Sequence, residues 1–313
     1  MKRLVTLLAV MAVTVMALDA RTFSFKGFDE IDASYIYEIT LTRSAAFSVE
    51  VDASADLEKY VDVHMSGHKL VLTTKNLPRR VKTDRGSYIK ARISMPELNY
   101  VALSGAAQLW CYDTFGGKES FLLEMSGASE LTGLGINGRR SSYLDISGAA
   151  ELEQISVNSE LLYLESSGAS RVRFVGECCK ASFELSGASK QKVDIAAEEL
   201  SIDMGGASKM DIHNRKPARV EAELSGTACV NYEGETLSVL EVESSGVSEF
   251  DSGDVVAESV EVDAGGASKV RVLVSKRLEA GASGTAKVMY REAGRLEYIS
   301  KESSAAGKVE KLN

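Results

Sequence analysis

The chain has 313 residues, with 36 Lys and Arg against 45 Asp and Glu, a formal net charge of −9 and 44% hydrophobic residues. That balance excludes an intrinsically disordered chain and argues against nucleic acid as a partner. With four cysteines, three histidines and no CxxC pair, it offers no metal-ligand spacing either.

The N-terminus carries Lys2 and Arg3 ahead of an apolar run from Leu4 to Leu18, closed by the small residues Ala17 and Ala20. A run of about 15 residues is short for a membrane span, which needs roughly 20. Residues 1–20 therefore read as a secretory signal peptide, and the mature chain is expected in the periplasm, at the cell surface or secreted, with no integral membrane segment. Loss of Lys2, Arg3 and Asp19 moves the net charge from −9 to −10. No cysteine lies near the cleavage region, so lipid attachment is not expected there.

Alternating apolar residues over residues 21–95 predict short strands at Tyr35 to Leu41, Phe47 to Val51, Val61 to Met65, Lys69 to Thr74 and Tyr88 to Ile93. Ala53 to Lys59 reads as a turn or a single helical turn, and the polar run Asn76 to Ser87 as an exposed loop. This region is expected to be a small β cap over an open coil, because a repeat array needs its ends covered.

Residues 96–313 are built on one short motif. It reads LSGAAQL from Leu103, MSGASEL from Met125, ISGAAEL from Ile146, LSGASKQ from Leu185 and AGGASKV from Ala264, with further copies between and a worn one, SSAAGKV, from Ser303. A period of about 20 residues sustained in this way marks a solenoid. Numbering each copy from its first Ser or Gly as zero, positions −1, −3 and −5 are mostly apolar, as in Met125, Leu123 and Phe121, and so form the inward face of a strand. A second inward column lies at +5, in Leu109, Leu131, Leu152, Val172, Met210, Val230 and Phe250. Gln191 interrupts it, and a bulge beside Val193 is expected there. At about 3.3 Å per residue the perimeter is roughly 66 Å, enough for two or three short strands per coil. Gly at +1 accepts the positive φ of a sharp corner, Ala at +2 is expected where coils crowd together, and the serines are expected to hydrogen-bond the bent backbone rather than act as nucleophiles.

The segment YIKARISMPELNYVALSGAAQL from Tyr88, the SGAS copies that follow it and the tripeptide Gly135-Ile136-Asn137 resemble the autotransporter adhesin head GIN domain family of bacterial exported proteins. The resemblance runs from about Tyr35 to the C-terminus. It implies a right-handed parallel β-helix similar in outline to pectin lyases, and a function of adhesion without an established catalytic site. No membrane barrel is expected after Ser283, so self-export is not expected.

Two outward columns are candidates for function. Position −2 carries Glu124, Asp145, Glu165, Glu184, Asp203, Glu223, Glu243 and Asp263, an acid in each of eight successive coils. Stacked about 4.8 Å apart, these carboxylates repel, which raises pKa values or recruits cations such as Ca²⁺; a solvated acidic face is the simpler expectation. Glu221, Glu241 and Glu261 at −4 join it later. In the earlier coils position −4 holds Tyr100, Leu122, Tyr143 and Tyr163. The expected ligand-binding set is Tyr100, Tyr143, Tyr163, Glu124, Asp145 and Glu165, serving a glycan or cell-surface polymer. The competing expectation is that the tyrosines only strengthen sheet pairing. A cation-dependent polysaccharide lyase or hydrolase is the alternative, with Arg171, Arg173 or Lys190 as the basic group, and a purely structural envelope protein is a third. Charges of both signs at +4 look like ordinary cross-coil pairing. No catalytic residue, cofactor or metal site is assigned: His64 and His68 share a strand face by spacing but lack a third ligand. Cys111, Cys178, Cys179 and Cys229 fall at different offsets and are expected to be free thiols.

Overall fold

A computed structural model describes residues 20–78, 86–117 and 119–312. Residues 1–19 of the signal peptide reading and residues 79–85 of the loop reading lie outside the described residues. Of the described residues 66% are strand, and the chain winds into a β-solenoid of about 11 turns, each coil strand pairing in parallel with its counterpart one coil away.

The N-terminal strands are β1 (Arg21–Phe23), β2 (Glu30–Ala33), β3 (Tyr37–Arg43), β4 (Ser48–Ala53), β5 (Val61–Ser66), β6 (Lys69–Thr74) and β7 (Ile89–Met95). A single 3-10 turn at Glu58–Tyr60 precedes β5. The first repeat supplies β8 (Tyr100–Leu103) and β9 (Gln108–Trp110). Strand β2 pairs in parallel with β8, and β3 with β9. The coil geometry thus begins at Glu30, where no SGAS copy is visible. Its corner is Tyr35, at φ 67, whose carbonyl accepts from the Ala106 amide at 2.6 Å. From this coil the chain makes a long excursion. Strand β6 extends one face by pairing with β2 and carries β5 antiparallel, while β7 extends the other by pairing with β3 and carries β4, then β1.

Every copy of the motif turns its corner at the same place. Gly127, Gly148, Gly168 and Gly187 have φ between 70 and 73, and a Cβ on Gly127 would lie 2.5 Å from the carbonyl oxygen of Gly105 below it. The crowding therefore falls on Gly at +1. It does not fall on Ala at +2: Ala106, Ala128 and Ala149 are exposed, and the small residue sealed into the corner is at +3, as in Ala107, Ser129 and Ala150. The Ala amide instead carries the corner ladder, with Ala128 N–H donating to Gly105 O at 2.7 Å. Corner serines do bond the backbone: Ser147 Oγ donates to Met125 O at 3.2 Å and Ser208 Oγ to Gly205 O at 2.8 Å.

The core is the stack of inward columns at −1, −3, −5 and +5, joined by a further column at +7 that includes Phe174, Val193, Ile212 and Tyr232. Gln191 stays in its column without a bulge, in register with Val172 and Met210. It is buried, and its Nε2 donates to Ser166 Oγ at 2.7 Å. Ser166, like Ser244, is a polar exception at −1, so this hydrogen bond joins two breaks in the apolar pattern across one coil step; Ser166 Oγ also lies 2.6 Å from Ser170 Oγ, and Gln191 Oε1 is buried without a partner among the described residues. In the family tripeptide, Gly135 packs so tightly on Thr114 that a Cβ would lie 2.4 Å from its Oγ1, and Ile136 is buried. Beside it Arg139 is buried, donating to Asn99 Oδ1 at 2.6 Å and to Leu98 O at 2.5 Å, while Asn99 Nδ2 donates to Asp29 Oδ2 at 2.7 Å. This network ties the residue preceding β2 to the first coils.

Candidate functional site

In-register parallel pairing turns a position in the repeat into a column on the surface. At −4 the column runs Glu30, Tyr100, Leu122, Tyr143, Tyr163, Ser182, Ser201 and Glu221. Beside it, the −2 column runs Asp32, Ala102, Glu124, Asp145, Glu165, Glu184 and Asp203, again in register. Alternation along each strand sends both columns outward, between inward columns at −1, −3 and −5.

The structure brings Tyr143 and Tyr163 together. Their rings stack with centroids 4.8 Å apart and planes 5° from parallel, and the side chains are 42% and 38% exposed. Their faces turn toward one another and their edges toward solvent, so they do not form one flat platform. A shallow groove of about 410 Å³ borders them, lined also by Leu122, Asp145, Glu165, Ser182 and Glu184. Tyr100 stands apart. Leu122 intervenes in the column, the Tyr100 ring lies beneath the Lys69 ammonium at 4.1 Å, and its hydroxyl donates to Glu124 at 2.6 Å. Burial, then the Glu124 carboxylate it serves, pushes the Tyr100 phenol well above its ordinary range. The six expected residues thus divide into a groove set, Tyr143, Tyr163, Asp145 and Glu165, and a pair at the cap end, Tyr100 and Glu124.

Electrostatics distinguish the −2 column from the rest of the surface. Elsewhere many charges pair from coil to coil: Arg171 with Glu151, Arg173 with Glu153, Lys180 with Glu199 at 2.6 Å, Arg215 with Asp194 at 2.7 Å and Arg271 with Asp251 at 2.8 Å. Among the described residues none of the eight −2 carboxylates has an ion pair. Partial burial, then the neighbouring Glu124, holds the Asp145 carboxyl above the usual carboxylate range. Toward the C-terminus a longer groove of about 650 Å³ runs between the acids Asp203, Glu223, Glu243 and Asp263 and the corner serines. Glu241 at −4 is committed to Arg219. No group of three or more His, Cys, Asp or Glu among the described residues is arranged to hold a metal ion.

One sequence expectation is corrected here. His64 lies on β5, but His68 is in the hairpin turn before β6, with its Nδ1 3.1 Å from Gly27 O, so they do not share a strand face. Arg171 and Arg173 are held in cross-coil ion pairs. The residues that sequence reasoning missed are Ser182, which lines the groove beside the tyrosines, Lys180 and Ser201, which line an adjoining depression, and Asp32, whose coil is hidden because Tyr35 replaces the corner glycine. The four cysteines are free, Cys111 and Cys178 buried, Cys179 exposed and Cys229 half-buried. No described helix is long and apolar enough to cross a membrane.

The fold is a β-solenoid whose outward side chains stack into ladders from coil to coil. The family described as "Putative auto-transporter adhesin, head GIN domain" matches residues 27–236 and 181–293, and the chain belongs to it. Among solved structures, the chain is similar to a "putative adhesin" from Parabacteroides distasonis, at 14% identity and a TM-score of 0.44, covering 94% of this chain and 96% of that one. A "putative adhesin" from Bacteroides fragilis, at 14% identity and a TM-score of 0.41, has the same coverage of both chains. A "Putative lipid binding protein" from Parabacteroides distasonis follows at 13% identity and a TM-score of 0.33, again covering 94% and 96%. No curated protein matches the sequence.

Proposed function

We propose that the protein is an exported, non-enzymatic binding module that holds a glycan or cell-surface polymer along the face carrying Tyr143, Tyr163, Asp145 and Glu165. The observation that carries this reading is the exposed Tyr143–Tyr163 stack beside Asp145 and Glu165, carboxylates that have no ion pair among the described residues. Carboxylates accept hydroxyl hydrogen bonds, and those involving a charged group are worth about 1.5–3 kcal/mol each. A long polymer gains from the register, because each coil offers the same acceptor again about 4.8 Å further on. Membership of an adhesin family supports the binding role and the exported location. Ion pairs engage two of the three basic groups named for the lyase alternative, Arg171 and Arg173, while Lys190 has no ion pair among the described residues.

Glycan-array and polymer pull-down binding, compared between the wild type and the double variant Tyr143→Ala with Tyr163→Ala, tests the reading. Loss of about tenfold or more in affinity is expected, the scale of one aromatic anchor. Binding that the double variant leaves unchanged removes this face as the site.

A further inference from the structure

The tyrosine ladder stops abruptly. Tyr163 is followed in register by Ser182, then Ser201, and the column resumes with Glu221. Two rungs of the ladder, about 9.6 Å at the coil spacing, are therefore empty of side chain beyond a hydroxymethyl group. The Tyr143 ring covers one face of Tyr163, and the other looks over this gap. A second depression of about 210 Å³, lined by Tyr163, Lys180, Ser182, Glu199 and Ser201, adjoins the first groove at Tyr163 and Ser182.

The charges around the gap are unequal. Its cations are already neutralised, Lys180 by Glu199 and Arg219 by Glu241. Its acids are not: among the described residues Glu165, Glu184 and Asp203 along one wall, and Glu221 at the far end, have no ion pair. An anionic ring entering here would meet four unpaired carboxylates, and a neutral ring would leave them as they are. A flat ring bearing a positive charge meets both needs of the site. Its C–H face covers the open face of Tyr163, and a cation near a tyrosine ring is itself favoured.

We propose that the Ser182–Ser201 gap is a subsite for one protonated amino-sugar ring of a polymer, seated on Tyr163 with its ammonium toward Glu165 and Glu184. The inference rests on the glycan reading above and adds the charge class and the rung. A basic peptide offers the same charge but no rigid ring for the gap.

The test is titration calorimetry on the mature chain with four probes: a fully deacetylated chitosan oligosaccharide, its N-acetylated counterpart, oligogalacturonate and oligolysine. The deacetylated oligosaccharide is expected to bind tightest, and more weakly as salt rises. Glu184→Gln is expected to weaken it about tenfold, one charge-assisted hydrogen bond. Ser182→Tyr is expected to abolish it with the far-ultraviolet circular dichroism unchanged, because a tyrosine there extends the ladder and fills the gap. Equal or tighter binding of the N-acetylated or galacturonate probe overturns the charge class while the glycan reading stands. Oligolysine binding as tightly as the amino sugar overturns the ring requirement. Deacetylated binding that neither variant weakens overturns the subsite. Absence of any saccharide binding, here and on the array, removes both readings together.

Discussion

At the scale of single residues, the departures from the repeat carry the most information. Ser166 and Gln191 each place a polar group in a mostly apolar column, and Gln191 Nε2 donates to Ser166 Oγ. Ser166→Ala leaves Gln191 Nε2 buried without its partner, so the single variant is expected to lose about 1–3 kcal/mol of stability. Adding Gln191→Leu should recover most of that loss, and a double-mutant cycle of denaturant midpoints measures the coupling. The cysteines allow a second check. Burial pushes the Cys178 thiol up to about 12 and the Cys111 thiol up to about 11, the rest of each environment mattering less. Neither forms appreciable thiolate near neutral pH, and thiolate is the reactive species. Mass spectrometry after brief alkylation at that pH should find the exposed Cys179 modified and Cys111 and Cys178 protected until the protein is unfolded.

The corner is the element on which the coil depends. Gly187 combines φ 70 with a neighbouring carbonyl: a Cβ there would lie 2.5 Å from Gly168 O. Gly187→Ala is expected to cost about 2 kcal/mol or more, from left-handed backbone strain together with a shift of the coil below. Ser186→Ala, one residue earlier and exposed, is expected to stay within about 0.5 kcal/mol of wild type. Thermal unfolding of the pair separates corner geometry from serine chemistry. Tyr35 shows why the first coil escapes this constraint: it is the first residue of the corner column, with no Gly carbonyl beneath it.

Across the whole molecule, the −2 column places eight carboxylates in file without a counter-charge on a chain of net charge −9. Each neighbouring pair repels by about 1 kcal/mol or less when fully solvated, and salt screens such exposed charges. The melting temperature is therefore expected to rise as sodium chloride is added at neutral pH, and a triple Glu184→Gln, Asp203→Asn, Glu223→Gln variant should flatten that rise. A melting temperature indifferent to salt in the wild type would mean that the file does not strain the fold. The same in-register stacking that sets these charges in file also repeats one acceptor per coil, the feature on which the proposed polymer binding rests.

Much of this was legible in the chain itself. The period near 20 and the apolar columns at −1, −3, −5 and +5 specify a parallel solenoid, because strand alternation and equal coil lengths leave no other way to bury them together. The acidic file followed from the same register. The sequence alone did not reveal the first coil, whose corner is a tyrosine, nor that Gln191 remains in its column with Ser166 as its partner, since hydrogen bonds between coils join residues 25 positions apart. Nor did it show how the tyrosines present themselves. Spacing put Tyr100, Tyr143 and Tyr163 in one column. Tertiary packing decided that the last two stack on each other, that Lys69 and Glu124 engage the first, and that Ser182 leaves a gap beside Tyr163, because ring orientation and ion pairing are set by neighbours that only the folded coil brings together.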